Sequence, residues 1–106
     1  MDTLYRQGDV LIRKVRKFDT RIMKPIEREN GKVVLAHGEV TGHSHAIEAR
    51  EARLFRGETP NIAYLLLEEP AVLGHEEHAS ISLPMGYYEV TIQREYHPQA
   101  IRNVAD

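Results

Sequence analysis

"LPMGYYEVTIQREY", residues 83–96, decides the fold class. Pro84 suits the second position of a type I turn and Gly86 the fourth, so the chain is expected to reverse after Leu83. Beyond the turn, Tyr88, Val90 and Ile92 alternate with Glu89, Thr91 and Gln93, the pattern of a strand with one buried and one wet face. Working outward, short apolar runs bounded by turn residues recur along the chain: "QGDVLIRKV", "HAIEA", "ARLFRG", "IAYLLLEE", "AVLGH" and "ASISL". In "IERENGKVVLA" the pair Asn30-Gly31 stands between two extended runs, the strongest short-range hairpin signal, and predicts a firmly fixed register.

These runs predict one all-β, mostly antiparallel domain over residues 1–106, built as a small barrel or a sandwich. A short C-terminal helix is expected from Pro98, with Ile101, Val104 and Ala105 on one stripe. At 106 residues and 42% apolar content the chain has material for one core and not two. No apolar run approaches a membrane span. Nothing in "MDTLYRQGDV" reads as a secretory leader, and cysteine is absent. The expectation is a cytoplasmic protein whose metal ligands, if it has any, are nitrogen and oxygen.

The formal charge of −2 is unevenly spread. Residues 1–24 hold seven basic side chains against three aspartates, a balance of +4 that leaves −6 for the rest. Residues 6–24 are therefore the place where nucleic acid could be held, although the aromatic interleaving of a single-strand groove is missing. Tyr64, Tyr87, Tyr88 and Tyr96 read as strand core or sheet-face residues. Exposed strand edges would suit a homodimer.

Two histidine clusters carry the chemistry. In "GEVTGHSHAI", residues 38–47, His43 and His45 lie two apart, so an extended backbone presents both imidazoles on one face. In "GHEEH", residues 74–78, an extended chain would put His75 with Glu77 and Glu76 with His78, whereas a turn would bring His75 to His78. The three-residue spacing is not that of the helical zinc proteases, whose histidines lie four apart. The expected site is a divalent ion, zinc first with iron, nickel or manganese as alternatives, held by His43, His45, His75 and His78. Glu76 or Glu77 would be its general base, acting on a small-molecule substrate. His37 is a further candidate to join, and His97 reads as a helix-start residue.

The stretch "GEVTGHSHAIEAREARLFRG" resembles the first cupin motif, with Gly38, His43, His45, Glu48 or Glu51, and Gly57 in its roles. Pro84, Met85 and Gly86 resemble the turn of the second motif. There a histidine would follow the glycine, and this chain has Tyr87, Tyr88 and Glu89 instead. The resemblance implies a small cupin-like barrel with a cupin-type activity, while a divalent ion with an open position would equally suit a metal-dependent hydrolase. The chain is also similar to a group of small bacterial and phage-encoded proteins sharing "QGDVLI", "GEVTGHSH", "HEEH" and an LPxGxY turn, a likeness that implies no activity. Against both stands a non-enzymatic module that binds a protein or nucleic-acid partner.

Overall fold

The computed structural model describes residues 3–38, 40 and 42–93. The helix expected from Pro98, and with it Tyr96 and His97, lies outside the described residues. Ten strands follow in chain order: β1 Leu4–Gln7, β2 Val10–Val15, β3 Pro25–Ile26, β4 Val33–His37, β5 Ser44–Ile47, β6 Ala52–Arg56, β7 Ile62–Leu67, β8 Ala71–Gly74, β9 Ile81–Leu83 and β10 Gly86–Ile92. A single 3-10 turn, Thr20–Ile22, is the one helical element among the described residues.

The strands form two open antiparallel sheets, ordered β1-β2-β10-β7-β6-β3 and β4-β5-β8-β9. Of the two expected architectures the described residues form two facing sheets that share a core, and no closed barrel is present among them. One apolar cluster serves both sheets. Val10, Ile12, Leu54, Leu65, Leu67, Tyr88 and Val90 come from the larger, and Val33, Leu35, Ile47, Leu73 and Leu83 from the smaller. No helix among the described residues is long and apolar enough to cross a membrane.

β10, the strand read from the opening stretch, is interior to the larger sheet, paired with β2 on one side and β7 on the other. Its alternation follows from this position: Tyr88 and Val90 are fully buried, and Glu89 turns outward to an ion pair with Arg13 at 2.7 Å. The predicted reversal after Leu83 takes a different form. β9 pairs with β8 and not with β10, so Pro84 and Met85 carry the chain from one sheet to the other. Gly86 stands at φ +149°, where a side chain would also press on the Lys14 stem. The Tyr88 hydroxyl donates to the Pro84 carbonyl and so satisfies the one polar atom this ring takes into the core.

The Asn30-Gly31 turn is present, with both residues at positive φ (54° and 79°) and paired hydrogen bonds between Glu29 and Lys32. Its arms do not go on pairing. β3 leaves to join β6, while β4 pairs with β5, so the expected hairpin closes over a single bridge. Arg28 explains the divergence, since its guanidinium donates to the carbonyls of Gly31, Ala49, Arg50 and Ala52 and fastens the first arm to the loop before β6. On the outer face of the larger sheet, Phe18 packs edge-on against Tyr87 at 4.7 Å and lies near Tyr64 and Phe55. Tyr64, Tyr87 and Tyr88 are sheet residues, as their spacing suggests.

Two stability measurements follow. Nothing lies within 4 Å of a side chain added at Gly31, so Gly31→Ala isolates the backbone cost of its positive φ. It should lower unfolding free energy by about 1–2 kcal/mol, against about 2–5 kcal/mol for the cavity left by Leu65→Ala. Burial pushes the Tyr88 phenol up to about 12 from 10.0, with Tyr5 adding to the effect. A proton held more tightly in the folded state stabilises it below the unfolded value and is lost as pH rises. Chemical unfolding should therefore show stability falling between about pH 10 and 12, with a smaller fall in Tyr88→Phe.

Candidate metal centre

The cluster is built by strand register. β5 and β8 pair with Ala46 opposite Gly74 and Ile47 opposite Leu73. Continuing that register past the last pair sets His45 against His75, Ser44 against Glu76 and His43 against Glu77. The contacts agree at each step. The His45 and His75 rings lie 4.3 Å apart, the Ser44 amide donates to Glu76 Oε1 at 3.0 Å, and His43 Nδ1 lies 3.4 Å from Glu77 Oε2. The chain then bends over residues 76–78 and returns His78 to the same group, 4.6 Å from His75 and 5.7 Å from His45 between ring centroids. His43 completes it at 5.9 Å from His75. Of the two geometries considered for "HEEH", the turned one brings His75 to His78, and Glu77 also lines the cleft while Glu76 does not.

The inward face of β5 runs from Ile47 to His45, so the site sits where the core ends. A bulge in β4 between Val34 and Ala36 sets the small Ala36, and not Leu35, opposite His45. His37, one position on, faces the way of Ser44 and pairs with Glu29 at 3.2 Å. It does not join the cluster. Glu48 pairs with Lys32, so this candidate for the cupin-type glutamate is engaged elsewhere.

The β1–β2 hairpin closes the site from the other sheet. Gln7 pairs with Val10 across the two-residue turn Gly8-Asp9, and Gly8 takes φ +61° at the first central position. A side chain at Gly8 would lie 2.9 Å from His78 Nε2 and 3.2 Å from His45 Cε1, so this glycine also makes room for the rings. Gln7 and His45 are the two polar residues buried among the described residues, each 2% exposed. The Gln7 amide nitrogen lies 3.1 Å from the Leu73 carbonyl and 2.9 Å from that of Ala79. Carbonyls only accept, so the nitrogen must face them and Oε1 must face His45 Nδ1, at 2.8 Å. Nδ1 is thus the donor. The neutral ring has its bare nitrogen at Nε2, 3.6 Å from Asp9 Oδ1.

His75 is held in the other tautomer. The Glu77 backbone amide donates to its Nδ1 at 2.9 Å, which leaves the proton of the neutral ring on Nε2. His43 Nδ1 is buried without a hydrogen bond, because Glu77 at 3.4 Å is near but not aligned. Glu76 turns from the rings to cap Ser44. That amide, and secondarily its own, hold its carboxyl below the usual range. As the rings stand, no three His, Asp or Glu side chains among the described residues aim their donors at one point.

The four rings, Asp9 and Glu77 line an open cleft of about 490 Å³, with Arg6 and Gln93 on its rim. Of the basic residues read as a nucleic-acid surface, Arg13 is paired with Glu89 and Arg21 with Asp19. Of the residues gathered here, the sequence offers His43, His45, His75, His78 and Glu77 as candidates, whereas it does not single out Gln7 or Asp9. Their signal was Gly8-Asp9 itself, a two-residue hairpin pair that reads equally well as the start of β2. The family described as a domain of unknown function, DUF8820, has a model matching residues 6–93, and the chain belongs to it. The match runs from Arg6 to Gln93 and so encloses the whole cleft. No curated protein and no solved structure matches the chain.

Nitrogen-15 spectra of the imidazoles should show His45 protonated at Nδ1 near neutral pH, and an Nε2–H ring would contradict the network. Gln7→Leu should strand Nδ1–H and two backbone carbonyls, at about 1–3 kcal/mol for each group left without a partner.

Proposed function

We propose that this cleft is a divalent transition-metal site, with His45 as its anchor and His43, His75 and His78 as the other imidazole candidates. The observation that carries the reading is the Gln7–His45 bond. Histidines that bind metals commonly donate the ring's second N–H to a fixed acceptor, which sets the tautomer and the direction of the bare nitrogen. Gln7 supplies that acceptor in a buried position where a polar residue is otherwise costly. The orphaned His43 Nδ1 is a second fit, since a buried nitrogen without a hydrogen bond gains a partner when an ion arrives. The donor set, imidazole nitrogen with Asp9 or Glu77 oxygen and no thiolate, suits zinc, iron, nickel or manganese.

Binding requires the rings to turn. The His75 bond to Glu77 N must open, a loss of about 0.5–1.5 kcal/mol. An ion held at a micromolar Kd contributes about 8.2 kcal/mol, which exceeds that loss. When bound, such an ion supplies Lewis-acid polarisation and an acidified water. Glu77, beside His43 on the cleft wall, is the carboxylate placed to take a proton from a ligand there, whereas Glu76 is committed to Ser44. This supports a metal-dependent hydrolase or cupin-type activity on a small molecule. The resemblance of Gly38, His43 and His45 to the first cupin motif supports the same reading, with Asp9 and Glu77 in place of the motif's glutamate.

Protein purified without an affinity tag should hold close to one equivalent of a transition metal, and stripped protein should be stabilised on reloading. Metal at a hundredfold over its Kd adds about 2.7 kcal/mol, or roughly 10 °C in Tm for a domain of this size. Gln7→Leu should weaken binding by about 10–100-fold. Metal content below about 0.1 equivalent, with no shift from zinc, iron, nickel or manganese, would defeat the proposal, because an ion that binds the native state must stabilise it.

A further inference from the structure

The rim of the cleft facing the imidazoles is made of hydrogen-bond donors. Arg6 Nη1 and Nη2 reach Gly8 O and Gln93 Oε1, each at a long 3.3 Å. Both acceptors are neutral, so the exposed guanidinium spends its charge on no carboxylate among the described residues. By accepting from Arg6, the Gln93 carboxamide turns its oxygen to that residue and leaves its NH2 as a donor. The Gln93 amide is itself fixed to Asp9 O at 2.9 Å, which ties this rim to the turn beneath the histidines. A planar guanidinium fork beside an amide NH2 matches the two oxygens of a carboxylate.

Resting on the metal reading above, we propose that Arg6 and Gln93 form the anion subsite of the cleft, and that its ligand is a small organic monocarboxylate bound between them and the metal. Charge selects the monoanion. With neutral imidazoles, Arg6 sets one positive charge against Asp9 and Glu77, so the described lining residues sum to −1 without an ion and +1 with a divalent one. One carboxylate neutralises the loaded cleft. A phosphate group, at roughly −1.5 to −2 near neutral pH, leaves it negative. Carboxylate binding is therefore conditional on metal, and by linkage the carboxylate tightens the metal. At about 490 Å³ the cleft admits a small molecule with room for water.

Cobalt(II) serves as the test ion, because its visible spectrum reports changes in coordination. Wild type, Arg6→Gln and Arg6→Lys are loaded and titrated with acetate, then separately with inorganic phosphate. Arg6→Lys should take up cobalt much as the wild type does, and Arg6→Gln at least as tightly, since it removes a positive charge from the cleft. Acetate should perturb the loaded wild type, bind at least about tenfold more weakly to Arg6→Gln, and fall between for Arg6→Lys, which keeps the charge but not the fork. Metal-free wild type, followed by calorimetry in place of the cobalt spectrum, should bind acetate at least about tenfold more weakly than the loaded protein. Equal acetate affinity in wild type and Arg6→Gln overturns the subsite, as does phosphate binding tighter than acetate. No cobalt uptake by the wild type removes the metal reading and this inference with it, a result separate from normal uptake without an Arg6 effect.

Discussion

Gln7 takes a carboxamide into the interior, where an apolar side chain of the same size would pack without the cost of desolvation. Its three hydrogen bonds compensate, and each reaches the opposite sheet: the Leu73 carbonyl at the end of β8, the Ala79 carbonyl beyond it, and the His45 ring on β5. Apolar contact holds two sheets together but scarcely fixes how one slides over the other, whereas hydrogen bonds of defined direction do. This brace sets the β1–β2 turn above the imidazoles. The position of Asp9, the clearance at Gly8 and the tautomer of His45 all depend on it.

A second constraint is the register of β5 against β8. Ala46 opposite Gly74 commits the following residues to face one another in order, so two histidine motifs far apart in sequence meet because of backbone pairing and not through mutual attraction. A one-residue slip would turn His43 and His45 to the face that now holds Ser44 and Glu76. The bulge in β4 serves the same arrangement from the other side, since it shifts the register so that Ala36 stands opposite His45.

Much of the fold was legible because its strands obey local rules. Tyr88 and Val90 alternate, "IAYLLL" is strand-sized, and the ranges read for β5 to β9 lie within a residue or two of those observed. What misled were the turns. Pro84-Met85-Gly86 and Asn30-Gly31 do redirect the chain, but turn chemistry specifies a local path and says nothing about which sheet receives the next strand. β3 left for β6 and β10 for β2 and β7 on account of distant partners, the Arg28 clamp and the shared core. The site divides in the same way. Histidine and glutamate announce their chemistry by residue type, so the cluster was anticipated. Gln7 has no such signature, and its importance arises from a pairing 38 residues away.

That separation bears on how the molecule comes into being. Gln7 meets His45 across 38 positions and Leu73 across 66, while Ser44 meets Glu76 across 32. Loops of this size close slowly, and a growing polypeptide that has not yet reached its eighth strand cannot assemble the brace. Until then the four imidazoles are scattered along the chain, with no fixed geometry among them. Assembly is thereby ordered in time: strand pairing first, and only then the direction of the His45 nitrogen.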